Sequence, residues 1–144
     1  MAAELVTMAP MLEGMVEPTG FALRFDLHSG IVRVDAGRLR QAILALVDNA
    51  RRHADPCELL ITTRSTDDQV SIAVADAGPG LPPNLESAAF RQFVRGPNST
   101  GGSGLGLAIV RSIARAHGGD VRYQRSDSAS VFEIMFRRST GRVP

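Results

Sequence analysis

The segment Gly101-Gly102-Ser103-Gly104-Leu105-Gly106 runs straight into Leu107, Ile109, Val110 and Ile113, so a glycine-rich loop opens a helix. Free amides at a helix N-terminus carry partial positive charge, and glycine lets the backbone approach an anion without a Cβ in the way. That arrangement reads as a phosphate site. A second glycine pair follows a carboxylate in Asp76-Ala77-Gly78-Pro79-Gly80, and the two clusters together suggest a nucleotide cradle. Residue type excludes the common phosphate loops. All 16 basic residues are arginine, whereas a Walker loop needs a lysine after its last glycine and a eukaryotic-type protein kinase needs one on its third strand. No three of Gly101, Gly102, Gly104 and Gly106 meet the spacing of the dinucleotide fingerprint, so another nucleotide fold is required.

A chain of 144 residues with 44% apolar content fits one domain, residues 1–144, with a single core. A net charge of +1 with scattered arginines argues against nucleic acid as a ligand. One cysteine, Cys57, precludes an internal disulfide and is compatible with a reducing compartment. The run Leu5 to Val16 is too short to span a bilayer and is interrupted or flanked by Glu4, Glu13 and Glu17, so no signal or membrane segment is read.

Leu5, Met8, Leu12 and Met15 recur at helical spacing and predict a short amphipathic helix that stops near Pro18 and Gly20. Alternation at Phe21, Leu23 and Phe25, a His28-Ser29-Gly30 turn, and Ile31, Val32 and Val34 predict a hairpin. Asp35 caps a second helix with Leu39, Ile43, Leu46, Val47 and Ala50 on its apolar side, ending near Pro56. Strands follow at 59–64 and 70–75, the second delivering Asp76 at its C-terminal end. Between Leu81 and Gly102 the periodicity fails, and a long irregular stretch between two glycine clusters reads as a lid, about 81–103, expected to be mobile without nucleotide. A third helix over about 104–117 stops at Gly118-Gly119, and strands at 121–124 and 131–136 close the sheet.

On the second helix, Ala45, Asn49, Arg52 and His53 fall at i, i+4, i+7 and i+8 and share one face. The carboxamide oxygen of Asn49 suits magnesium, a hard ion that bridges protein and phosphate oxygens, and Arg52 suits a phosphate. Taken alone, Asn49 reads as a solvated helix residue and His53 as a C-terminal histidine favoured by the helix dipole.

The order of the motifs changes that weighting. Leu46-Val47-Asp48-Asn49-Ala50-Arg51-Arg52-His53, then Asp76-Ala77-Gly78-Pro79-Gly80, then Phe90-Arg91-Gln92-Phe93-Val94-Arg95-Gly96, then Gly102-Ser103-Gly104-Leu105-Gly106-Leu107 resembles the catalytic and ATP-binding domain of bacterial two-component sensor histidine kinases, in the GHKL superfamily. The four segments look like its asparagine box, first glycine box, phenylalanine box and second glycine box. The resemblance covers roughly residues 4 to 138. It implies an α/β (α+β) two-layer sandwich, a mixed sheet of about five strands with three helices on one face.

By position, the resemblance implies that Asp76 accepts a hydrogen bond from the adenine amino group while Gly78 and Gly80 let the chain turn beneath the base. Asn49 would hold Mg2+, with His53 beside the nucleotide and Arg52 in place of the lysine usual near the phosphates. Arg95 would be the lid arginine reaching the γ-phosphate of ATP, and with Asn49 the catalytic pair. Gly102, Gly104 and Gly106, with Leu105 between the last two, would line the phosphate chain with backbone amides, and Ser130 would replace the threonine that lines the adenine pocket. Ala45 departs from the family, which has a polar residue there, often asparagine; its ATPase branches carry a water-activating glutamate. Arg52 for lysine exchanges a point charge for a planar fork.

The implied activity is transfer of the γ-phosphoryl group of Mg-ATP to a histidine, a task dominated by positioning and charge neutralisation. None of His28, His53 or His117 has the sequence context of the family's acceptor, so the acceptor is expected on a helical hairpin elsewhere, in the same full-length protein or on a partner chain, with a response regulator downstream. Phe90 and Phe93 offer a helical partner an apolar contact or plug the lid into its own core. A cytoplasmic setting is expected, free or as the cytoplasmic part of a membrane-anchored sensor. Two rival readings are an anti-sigma-factor-type serine kinase and a nucleotide-binding regulatory module without catalysis, for which Ala45 is the best evidence.

Overall fold

The structure, a computed structural model, describes residues 1–78, 106–126 and 128–139. The elements are α1 (Ala2–Val16), β1 (Ala22–Asp26), α2 (Ala36–His53), β2 (Glu58–Ser65), β3 (Gln69–Asp76), α3 (Gly106–Ala116), β4 (Asp120–Arg125) and β5 (Ser130–Arg137). The five strands form one mixed sheet in the order β1-β2-β3-β5-β4; β1 lies parallel to β2 and the other pairs are antiparallel. The three helices cover one face, giving the two layers expected of the sequence.

Side-chain periodicity explains the layering. Leu39, Ala42, Ile43, Leu46, Val47 and Ala50 of α2 are all buried, at the spacing that puts them on one stripe. They meet Leu59 and Ile61 of β2, Ile72 and Val74 of β3, and Phe132, Ile134 and Phe136 of β5, the alternate residues of each strand. Leu5, Met8, Leu12 and Val16 extend the core under α1, and Val110, Ile113 and Ala114 extend it under α3.

Both predicted glycine stops are Schellman endings. After a single 3₁₀ turn at Glu17–Thr19, Gly20 has φ +87°; its N–H donates to Glu17 O at 3.0 Å and Phe21 N–H donates to Val16 O at 3.3 Å. After α3, Gly118 has φ +76°, its N–H donates to Arg115 O at 3.2 Å and Gly119 N–H donates to Ala114 O at 2.8 Å. Only glycine takes such positive φ at no steric cost, which is why the spacing marked the helix ends correctly.

The predicted hairpin after β1 does not form. Residues 27–35 contain no strand, and β1 pairs instead with β2, in the register Ala22↔Glu58 to Asp26↔Thr62. The intended turn is tied to a different neighbour: His28 N–H donates to Thr63 Oγ1 at 2.7 Å, and the buried hydroxyl donates back to His28 O at 2.7 Å. Gly30 then passes so near Val70 that a Cβ would lie 2.7 Å from its Cγ1. Val32 and Val34 pack partly against the core while Ile31 is exposed, so the alternation records a half-covered crossing toward α2 rather than a ladder.

Candidate nucleotide site

The predicted site residues that the structure describes lie at the end of α2, the end of β3, the start of β5 and the first described residue of α3. Asp76 is the last residue of β3 and only 7% exposed. Its inward orientation follows from strand alternation with Val70, Ile72 and Val74, all buried. Its Oδ1 accepts the Gly78 N–H at 2.8 Å, an Asx-type bond that turns the chain at once beyond the strand. Gly78 lies against the end of α2, where a Cβ would come within 2.8 Å of both Ala54 Cβ and Asp76 Oδ1. Packing at this position therefore leaves no room for a larger side chain than glycine without a shift.

Ser130 opens β5 and stands directly opposite Asp76 in the β3–β5 register. It is 2% exposed, and its hydroxyl donates to Tyr123 Oη at 3.3 Å. Cross-strand partners have Cβ atoms about 5 Å apart, so a buried carboxylate and a buried hydroxyl sit side by side at this mouth of the sheet. Tyr123 stacks at 46° on Phe132 with ring centroids 4.8 Å apart, which fixes the direction of its hydroxyl.

On α2, Asn49 is half-buried in the last turns and Arg52 is exposed. Arg52 Nε donates to Asp48 Oδ2 at 2.8 Å, and Arg51 Nη2 donates to Asp48 Oδ1 at 2.6 Å. Ala45 packs on the core beside them. His53 is the last residue of α2.

Helix α3 is oriented by its far end. His117 Nδ1 bonds Ile113 O at 2.7 Å while its Nε2 accepts the Asp35 N–H at 3.3 Å, so the C-terminus of α3 is tied to the N-cap of α2. From that tie the eleven residues of α3 span about 17 Å to Gly106. Among the described residues, a Cβ on Gly106 would meet nothing within 4 Å.

Register and packing bring Asp76, Gly78 and Ser130 together against the end of α2, the helix whose last turns carry Asn49 and Arg52, while Gly106 is the first described residue of α3. Gly80, Arg95, Gly102, Gly104, Leu105, Phe90 and Phe93, together with the predicted lid, lie outside the described residues. Among the described residues, no three His, Cys, Asp or Glu side chains cluster as a metal site, and the donor that the family resemblance gives to magnesium is the Asn49 carboxamide. One protein oxygen suits magnesium that keeps water and phosphate oxygens as its other ligands. Two carboxyls with lowered pKa values, Asp26 beside Arg64 and Asp120 bonded by the Val121 N–H, lie elsewhere. Sequence reasoning missed Asp48 and Tyr123. The i, i+4 spacing of Asp48 and Arg52 was visible, whereas Tyr123 is placed against Ser130 only by strand register.

Similarity to known proteins agrees with this fold. Residues 34–140 match the family model described as histidine kinase-, DNA gyrase B-, and HSP90-like ATPase. TcrY of Mycobacterium tuberculosis, a probable sensor histidine kinase, is 38% identical over 119 residues, 79% of this chain and 25% of that protein. The sensor histidine kinase component HK1 of the same organism is 41% identical over 90 residues, 61% of this chain and 53% of that protein. The chain thus spans about a quarter and about half of these two relatives. Among solved structures, full-length ShkA in complex with AMPPNP superposes with a TM-score of 0.82 at 29% identity, over 99% of this chain and 31% of that one. The mycobacterial sensor histidine kinase MprB superposes at 0.84 with 23% identity, over 94% of each chain, which attests the fold. A family model that spans most of the chain, relatives named as sensor kinases and a shared sandwich lead to one conclusion: the chain belongs to the histidine kinase-, DNA gyrase B-, and HSP90-like ATPases, as a histidine kinase ATPase domain.

Proposed function

We propose that this domain binds Mg-ATP and delivers the γ-phosphoryl group to a histidine on a separate helical-hairpin acceptor, in two-component signalling. The observation that carries the reading is the placement of buried Asp76 opposite buried Ser130, at the end of a strand that Gly78 presses against the close of α2. A carboxylate there accepts a hydrogen bond from the exocyclic amine of adenine, and the Ser130 hydroxyl lies beside it for a second contact. Asn49 holds the magnesium, with Arg52 and His53 along the same helix, and the N-terminus of α3 offers amides to the phosphates, extended by Gly102, Gly104, Leu105 and Gly106. Gly80 continues the turn beneath the base and Arg95 meets the γ-phosphate. ATP supplies the phosphoryl group; the domain orients it and neutralises charge.

The histidines support an acceptor outside this domain. Both ring nitrogens of His117 are engaged by backbone groups, and His28 Nε2 lies 3.4 Å from Asp26 Oδ1 on the far side of the sheet order, beside the β1 edge. A response regulator would take the phosphoryl group next. Among the described residues no helix is long and apolar enough to cross a membrane, and ATP dependence places the domain in the cytoplasm in this proposal.

Calorimetric titration of Mg-ATP into the chain tests the site. Binding is expected in the parent, loss of binding in Asp76→Ala, and loss of the magnesium dependence in Asn49→Ala. Transfer is then tested by adding helical-hairpin acceptor domains with labelled ATP. Binding without transfer to any of several acceptors would favour the second reading, a non-catalytic regulatory module, which Ala45 supports because its methyl group offers neither a metal donor nor a base.

A further inference from the structure

Asp48 precedes Asn49 and is engaged by both arginines that follow. Arg51 Nη2 occupies its Oδ1 and Arg52 Nε occupies its Oδ2. Arginine and carboxylate commonly pair through two parallel bonds, which would take up one edge of the guanidinium. Here Arg51 Nη2 bonds the other oxygen, and Arg52 is held through Nε alone. Among the described residues its two Nη groups, four of its five N–H donors, have no partner. Arg52 stands one turn beyond Asn49 on α2, a neighbouring position on the helix surface.

An exposed i, i+4 ion pair contributes little to helix stability, so this grip has little structural purpose. Its effect on a flexible side chain is larger, because an arginine free to sample its rotamers must be ordered again each time it meets a ligand. We propose that Asp48 is a positioning residue for the nucleotide: it anchors Arg52 by Nε and leaves the open Nη fork to take the polyphosphate beside the Asn49-bound magnesium. Arg51 holds the other oxygen of Asp48 and so steadies the carboxylate that anchors Arg52. The inference rests on the nucleotide reading given above.

The test compares ATP with adenosine, which carries the base and no phosphate. Affinities are measured for the parent chain, Asp48→Ala, Asp48→Asn, Arg52→Ala and the Asp48→Ala/Arg52→Ala pair, with thermal unfolding as a control for folding. Asp48→Ala is expected to weaken ATP about fivefold and leave adenosine within about twofold. Asp48→Asn keeps one acceptor oxygen for Nε and is expected to recover most of the loss. The double variant should bind ATP no more weakly than Arg52→Ala alone, since an anchor has no function once its arginine is gone. Equal losses for ATP and adenosine would assign Asp48 a structural role and overturn the proposal. Tighter ATP binding by Asp48→Ala would overturn it too, by showing that the carboxylate merely cancels the arginine's charge. A parent that binds no ATP would remove the nucleotide reading and this inference with it, whereas binding unaffected by Asp48→Ala removes this inference alone.

Discussion

A Cβ on Gly119 would lie 1.9 Å from the carbonyl oxygen of Met135, a contact that only a backbone shift can relieve. Gly119→Ala is therefore expected to cost about 3 kcal/mol and to lower the thermal midpoint by about 10 °C, read by circular dichroism. The sequence marked Gly119 as part of a helix stop; its closer constraint, contact with β5, needed the strand pairing. Asp120 shows a different kind of residue effect. The Val121 N–H bonds its Oδ1 at 2.9 Å, Arg115 and Arg111 lie at 3.5 and 3.7 Å, and together they hold its carboxyl below the usual 3.8. The folded state thus binds the proton less readily than the unfolded one, so the stabilisation is complete above pH 3.8 and is lost as pH falls through the lowered value. Asp120→Asn should be less stable than the parent at pH 7, with the gap closing in denaturant titrations below about pH 4. Asp76 was legible because a strand pattern ended on it before glycines; Arg95 and Gly104 were equally legible as motif residues, but fall outside the described residues.

Helix α2 was the most legible element, since its cap, stripe and length all agreed. Asp35 Oδ1 accepts the Arg38 N–H at 2.8 Å, the expected capping bond, and Asp35 N–H also reaches His117. Asp35→Ala should lower stability by about 1 kcal/mol in urea unfolding, with little change in denaturant slope. The misread segment after β1 has a physical reason. Alternation reports that one side of an extended chain is covered, and Val32 and Val34 meet that condition without a strand partner. What β1 pairs with is decided by a crossover through α2, as parallel neighbours require, and no local pattern carries that information. Helix α1 shows the reverse case. Pro10 removes one hydrogen bond within it, yet Leu5, Met8, Leu12 and Val16 are buried on one side and keep the helix whole.

At the scale of the molecule, the edge strands are protected by charge. Arg24 pairs with Glu58 at 3.4 Å along β1, and Arg122 Nε bonds Glu133 at 3.1 Å along β4, so neither edge offers a plain apolar ladder to another chain. The proposed site draws on elements from distant parts of the sequence, since Asp76 and Ser130 stand opposite each other. Nucleotide bound only by the folded form should therefore stabilise all of it. Mg-ATP at about 100 times its dissociation constant should add about 2.7 kcal/mol, seen as a rise in thermal midpoint that Asp76→Ala abolishes. Motif order gave the site its members, but the adjacency of Asp76, Ser130 and Tyr123 came only with register. That adjacency makes the domain self-reporting. The chain has no tryptophan and a single tyrosine, so emission excited beyond the phenylalanine absorption band comes from Tyr123, whose hydroxyl rests on Ser130. Any ligand that rearranges the hydrogen bonding of Ser130 will change that phenol's fluorescence, and the site can be followed in the native chain without a label.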